Sequence, residues 1–237
     1  MKAISLARRA ANVIRHPHLY RIYSLFSEYT MIPESVYVSN LLLAKKAAAP
    51  GAIVECGTWK GGMIAGIAKL LGNDRDYFLF DSFEGLPPVE TIDGLAAQKW
   101  QSNVDDPSYH DNCTASEADA LAAMTLADVP NARIVKGWFE NTLPVAEFPS
   151  GIAILRMDAD WYGSTIEILH SLFPAVNIGG LILIDDYYTW EGCSKAIHDY
   201  LSMHKRPELI RNLGGVCFIE KLADGPSKAD SPSLQVA

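Results

Sequence analysis

A chain of 237 residues, 49% hydrophobic and 20% charged, has the material for one soluble α/β domain with additions, and it shows no internal repeat. Its net charge of −8 excludes a general nucleic-acid binder, which needs a clustered basic face to neutralise phosphates, and no apolar run is long enough to cross a bilayer. Cys56, Cys113, Cys193 and Cys217 are widely spaced and form no CxxC pair, which argues for free thiols in a reducing, cytoplasmic compartment and against a zinc site or disulfide frame.

The first stretch is basic, with Lys2, Arg8, Arg9, Arg15 and Arg21 against Glu28. It lacks the apolar run of a signal peptide. Ile4, Ala7, Ala11 and Ile14 share one helical face, so an amphipathic helix is expected. That helix should pack on the domain or on a second copy, giving a dimer or tetramer, and should not insert stably into a membrane. Residues 1–50 thus read as an N-terminal helical arm, 51–222 as the main domain and 223–237 as a polar, flexible tail.

A helix over 36–48 ends at Pro50-Gly51. From there strands and helices alternate: strands at 52–55, 77–81, 133–136, 152–155, 180–184 and 216–219, helices at 61–71, 115–127, 164–176 and 191–203. Residues 83–114 break the rhythm with Pro87-Pro88, Gly94, Trp100, Pro107 and Tyr109, and an insertion this long is usually a lid or binding segment. The alternation predicts a mostly parallel, doubly wound sheet.

The chemistry-bearing residues fall at strand ends, where an open α/β sheet presents its ligand crevice. Glu55-Cys56-Gly57 and Gly61-Gly62 join the first strand to its helix, and glycine there lets backbone approach a ligand closely. The spacing is not GxGxxG, which disfavours a nicotinamide or flavin cofactor, and the acidic residue suits a ligand with hydroxyls or an amine. Asp81 ends the second strand, where a carboxylate can accept ribose hydroxyls; a turn cap beside Ser82 is the plainer alternative.

Asp158-Ala159-Asp160 and Asp185-Asp186 close two further strands. Carboxylates gathered there repel one another unless a hard cation sits between them, and the absence of His or Cys points to Mg²⁺, Mn²⁺ or Ca²⁺. Asp160 could instead cap the helix starting near Ser164, and Asp186 could bond local amides. His110 reads as a loop histidine or a base. Trp138-Phe139 could line an adenine pocket or belong to the core, and Trp161-Tyr162 with Tyr187-Tyr188-Trp190 would make an aromatic wall.

Taken together these segments resemble the macrocin-type O-methyltransferases, or TylF/MycF family, whose known members methylate sugar hydroxyls in the tylosin, mycinamicin and novobiocin pathways. The resemblance is carried by Val54 to Gly62, Phe80 to Pro87, Lys136 to Phe139, Leu155 to Thr165, Ile184 to Tyr187 and Trp190 to Cys193, and runs in order from about residue 29 to 221. It implies a class I S-adenosylmethionine-dependent methyltransferase fold, Rossmann-like, with S-adenosylmethionine as donor. It implies a Mg²⁺-type ion on Asp158, Asp185 and Asp186. Glu55 and Gly57 would border the methionine part and Asp81 the ribose, with Thr58, Lys60, Gly61, Ser82, Gly137, Trp138 and Asp158 completing the donor site. Lys60 stands where the family more often has Arg, and Thr58 where Val is common.

Asp158 is the expected catalytic base; Trp161 fills the position at which catechol-type enzymes carry a lysine, and Asp160 and His110 are the fallbacks. The acceptor is expected to be a small molecule with vicinal hydroxyls. Two rivals remain at this level: a glycosyltransferase using Asp158-Ala159-Asp160 as a DxD motif, and a non-catalytic methyltransferase-like binding domain.

Overall fold

The computed structural model describes residues 15–222. The expected helix over Ile4 to Ile14 and the tail 223–237 lie outside the described residues.

Seven strands form a single sheet: β1 (Ala52–Cys56), β2 (Tyr77–Asp81), β3 (Arg133–Lys136), β4 (Ile152–Met157), β5 (Val176–Ile184), β6 (Arg211–Leu213) and β7 (Val216–Glu220). Their order is β3-β2-β1-β4-β5-β7-β6. The first five are parallel; β7 is antiparallel to both β5 and β6. The direction of winding reverses between β1 and β4, the place where doubly wound sheets open a ligand crevice.

Seven helices matter here: α1 (Pro17–Phe26), α2 (Glu34–Ala44), α3 (Gly62–Leu71), α4 (Gly94–Ser102), α5 (Glu117–Leu126), α6 (Tyr162–Leu172) and α7 (Glu191–Met203). They cover the sheet on two sides because successive strand residues point to opposite faces. Ile53, Leu79 and Leu183 pack with Phe26 of α1, Leu41 of α2, Ile64 of α3 and Met124 of α5. Val54, Phe80 and Ile182 pack with Ile168 of α6 and Ile197 of α7. Strands covered on both sides are buried along their whole length, as β1 and β4 are, with apolar residues at all but one position of each.

Three local differences from the sequence expectation have clear causes. The helix expected to reach residue 176 stops at Leu172, and Pro174, which lacks an amide donor, sits in a 3₁₀ turn ahead of β5. The closing strand gains an edge partner, β6, through the Gly214-Gly215 turn, both glycines at positive φ. The 83–114 insertion contains a helix of its own, α4, followed by four consecutive left-handed residues, His110 to Cys113.

Among the described residues no helix is long and apolar enough to cross a membrane. All four cysteines are unpaired, three of them buried.

Candidate active site

A cavity of about 710 Å³ opens at the carboxyl ends of β1, β2, β4 and β5. One half is built by the turn after β1. Gly57 has φ +81°, and a Cβ there would lie 1.6 Å from the Asp158 carbonyl oxygen. Only glycine fits where the two loops touch. Gly57→Ala is expected to lower stability by roughly 3 kcal/mol or more, combining left-handed strain with overpacking, and thermal unfolding checks it. An unchanged melting temperature would show that the loops separate easily.

Asp81 holds this turn together. Its Oδ2 accepts the Thr58 and Trp59 amides at 2.7 and 2.8 Å, and its Oδ1 accepts the Phe83 amide at 2.7 Å. Burial raises its pKa, with those three amides pulling it back down. Ser82 is engaged locally, donating to Gly85 O and accepting the Glu84 amide. Ser82, Thr58, Gly137 and Trp138 all border the cavity. Lys60 and Gly61 are not part of its wall: the Lys60 ammonium lies over the Trp59 indole at 4.6 Å, and Gly61, at φ +80°, leads into α3.

The other half is acidic. Asp158, Asp160 and Asp186 each offer an oxygen within 4.8 Å of the others. All are carboxylates, a donor set that suits a hard divalent cation such as Mg²⁺. Asp185, the third residue of the expected ligand set, has Oδ1 on Arg156 Nη2 at 2.6 Å. Asp160 enters the cluster because its backbone is left-handed, φ +54°, and its amide donates to Asp186 Oδ2. Its Oδ1 accepts the Trp190 indole N–H at 2.7 Å. Asp160 therefore does not cap α6. That task falls to Asp93 of the insertion, whose Oδ1 accepts the Tyr162 amide at 2.7 Å.

Crowding in a buried place raises the cluster's pKa values. Burial, then Asp185, pushes Asp158 up to about 6 against the pull of Arg156. Burial and Asp158 push Asp160 up to about 8. Asp186 is raised well above the usual range by burial, Asp160 and Asp158. A cation would reverse these shifts by favouring the ionised forms.

Between the two halves lies Arg156, 2% exposed. Its Nη1 donates to Glu55 Oε1 at 2.8 Å and to Asp158 Oδ2 at 2.9 Å. Glu55 and Arg156 are register partners on β1 and β4, so they stand side by side on one face of the sheet. Glu55 is itself 1% exposed, and burial pushes it up to about 8, with Arg156 opposing and Asp158 adding to the rise. Sequence reasoning gave Arg156 no task. The signal was present: a lone cation in the apolar run Ile-Ala-Ile-Leu-Arg-Met.

Three indoles cluster at the cavity wall beside the carboxylates. Trp161 and Trp190 lie edge-to-face at 5.3 Å, and Trp100 from α4 meets each at 6.0 Å. His110 borders the cavity and tilts against Trp59 at 6.5 Å.

The sequence profile described as macrocin O-methyltransferase (TylF) matches residues 37–219. The chain belongs to the macrocin O-methyltransferase family. Within it, the mycinamicin III 3''-O-methyltransferase of Micromonospora griseorubida is 33% identical over 164 residues, covering 65% of this chain and 62% of that protein. The demethyldecarbamoylnovobiocin O-methyltransferase of Streptomyces niveus is 34% identical over 157 residues, covering 64% and 58%. The matched region thus spans about three fifths of these relatives' own length. The solved structure of the O-methyltransferase NovP superposes with a TM-score of 0.70 at 26% identity, covering 82% of this chain and 83% of NovP. The doubly wound sheet of this macrocin O-methyltransferase family member is therefore the class I methyltransferase fold, and the glycosyltransferase reading of Asp158-Ala159-Asp160 is set aside.

Proposed function

We propose that this chain transfers a methyl group from S-adenosylmethionine to a sugar hydroxyl of a natural-product glycoside, with help from a divalent cation. The observation that supports this reading most is the meeting, in one cavity, of a glycine turn flanked by Glu55 and Asp81 with the carboxylates of Asp158, Asp185 and Asp186. A further relative, from Streptomyces olivaceus, is named as a 4'-O-methyltransferase of a rhamnosyl-tetracenomycin C, which favours a glycoside acceptor.

In this reading Glu55 receives the donor's ammonium on Oε2, which is buried and makes no close hydrogen bond. Asp81 faces the ribose while it keeps the Thr58 and Trp59 amides in place. Trp138 and Gly137 border the adenine. Asp158 and Asp186, with Asp160 converging on them and Asp185 alongside, would hold a Mg²⁺-type ion, which supplies a lowered pKa to an acceptor hydroxyl. Asp158 takes the hydroxyl proton as the methyl passes from sulfur to oxygen, leaving S-adenosylhomocysteine and a methyl ether. The indoles of Trp100, Trp161 and Trp190 offer flat apolar surface for the C–H face of a sugar, and the enclosed geometry contributes through positioning.

Calorimetric titration with S-adenosylhomocysteine tests the donor half directly. Micromolar binding is expected, with metal affinity lost in Asp186→Ala. An absence of binding would overturn the reading.

A further inference from the structure

Arg156 is the feature that this mechanism leaves unused. It reaches across three neighbouring strands: Glu55 on β1, Asp158 just past its own strand β4, and Asp185 just past β5. Its side chain is sealed from solvent, and its Nε makes no hydrogen bond, so the two terminal nitrogens alone hold it. One of these, Nη1, is divided between Glu55 and Asp158. Glu55 Oε2, on the other side of the carboxylate, is buried and makes no close hydrogen bond, the Ile64 amide being the backbone donor that helps hold the carboxyl's pKa down.

We propose that Arg156 is a positioning residue shared by the donor and cation half-sites, which makes the binding of each ligand strengthen the other. This inference rests on the function proposed above. Its physical basis is the planar fork of the guanidinium, which can serve several carboxylates in fixed directions, as a lysine ammonium cannot. Without a cation the fork divides its charge among three acids. When a cation draws Asp158 and Asp185, the fork is left with Glu55, and it fixes that carboxylate with Oε2 open to the donor's ammonium. Linkage then requires the reciprocal effect: donor binding orders Glu55 and Arg156 and frees Asp158 and Asp185 for the cation.

The test is a two-ligand titration of the full chain and of Arg156→Lys. S-adenosylhomocysteine affinity is measured by calorimetry with and without Mg²⁺, and Mn²⁺ affinity is measured by electron paramagnetic resonance with and without S-adenosylhomocysteine. In the wild-type protein each ligand should tighten the other by about fivefold or more. Arg156→Lys should weaken S-adenosylhomocysteine by about tenfold and bring the mutual effect close to one, with Mn²⁺ affinity in the absence of donor no lower than in the wild-type protein. A general loss of packing would weaken binding without removing that ratio.

If Arg156→Lys unfolds, Asp185→Asn replaces it. That substitution removes the competing charge at the Nη2 contact, and it should tighten S-adenosylhomocysteine binding in the absence of any metal while removing most of the gain that Mg²⁺ brings. Coupling that survives in Arg156→Lys, or donor affinity untouched by Asp185→Asn, overturns the proposal. So does a wild-type protein that binds S-adenosylhomocysteine equally well with and without Mg²⁺, a result that leaves the methyltransferase reading standing. Failure of the wild-type protein to bind S-adenosylhomocysteine at all defeats both.

Discussion

Replacing Arg156 by methionine should destabilise the metal-free protein by about 3–5 kcal/mol at pH 8, the range found when one partner of a buried ion pair is removed. The loss should shrink toward pH 5. Two acids on the guanidinium decide the sign, Asp158, pushed up to about 6, and Glu55. The folded pKa of Glu55, about 8, lies above the ordinary glutamate range, so the native chain holds that proton more tightly than the unfolded chain does. The stability associated with protonated Glu55 is fully present below the ordinary range and is lost as pH rises toward 8. Without the guanidinium, which opposes the rise of both Asp158 and Glu55, their folded pKa values climb further, so the added penalty is small below about 6 and grows as pH rises past the two values. Chemical unfolding in the presence of a chelator at pH 5, 6.5 and 8 measures this. A penalty that does not vary with pH would show that Glu55 is charged and otherwise compensated throughout.

Asp158→Asn should lower kcat by about 10²–10⁴-fold, the range ordinarily contributed by a general base. Donor affinity should change only a few-fold, because the Asp158 side chain meets the donor half through Arg156, while its contacts with the turn are made by backbone that the substitution keeps. The base must be ionised to accept a proton, so wild-type activity should fall as pH drops through its titration. Burial and Asp185 place that near 6 in the metal-free protein, and a bound cation moves it lower. Steady-state kinetics with a glycoside substrate and calorimetry with S-adenosylhomocysteine separate the two effects. Retention of full Mg²⁺-dependent turnover in the variant would pass the role of base to Asp160 or His110.

The framework was readable because its signals are local. The 77–81 and 133–136 strands and the 191–203 helix appear with the expected bounds, since each couples an unbroken periodicity to a strong stop. Strand-end carboxylates were readable for the same reason. What escaped was whatever depends on a partner far along the chain. The sequence assigns Asp160 to a cap or a cation; it contains nothing to say that Asp93, 69 residues from Tyr162, does the capping. Nor does local sequence reveal that Glu55 and Arg156, 101 residues apart, share a register. Ring clustering of Trp100 with Trp161 and Trp190 is of the same kind, because it exists only after the insertion has folded back over the sheet.

The Asp93 cap has a practical consequence for anyone wishing to alter acceptor choice by exchanging the 83–114 segment for a relative's. Asp93 is wedged between two helices: its Oδ1 closes the first amide of α6, and it fills the space beside Gly192, where a Cβ would come within 2.5 Å of the same oxygen. A transplanted segment lacking a short acidic or amide side chain at that position would leave the start of α6 open. Because Asp158 and Asp160 lie immediately before that helix, the graft would disturb the chemistry it was meant to leave alone. Such chimaeras should therefore be cut outside Asp93 or carry it with them.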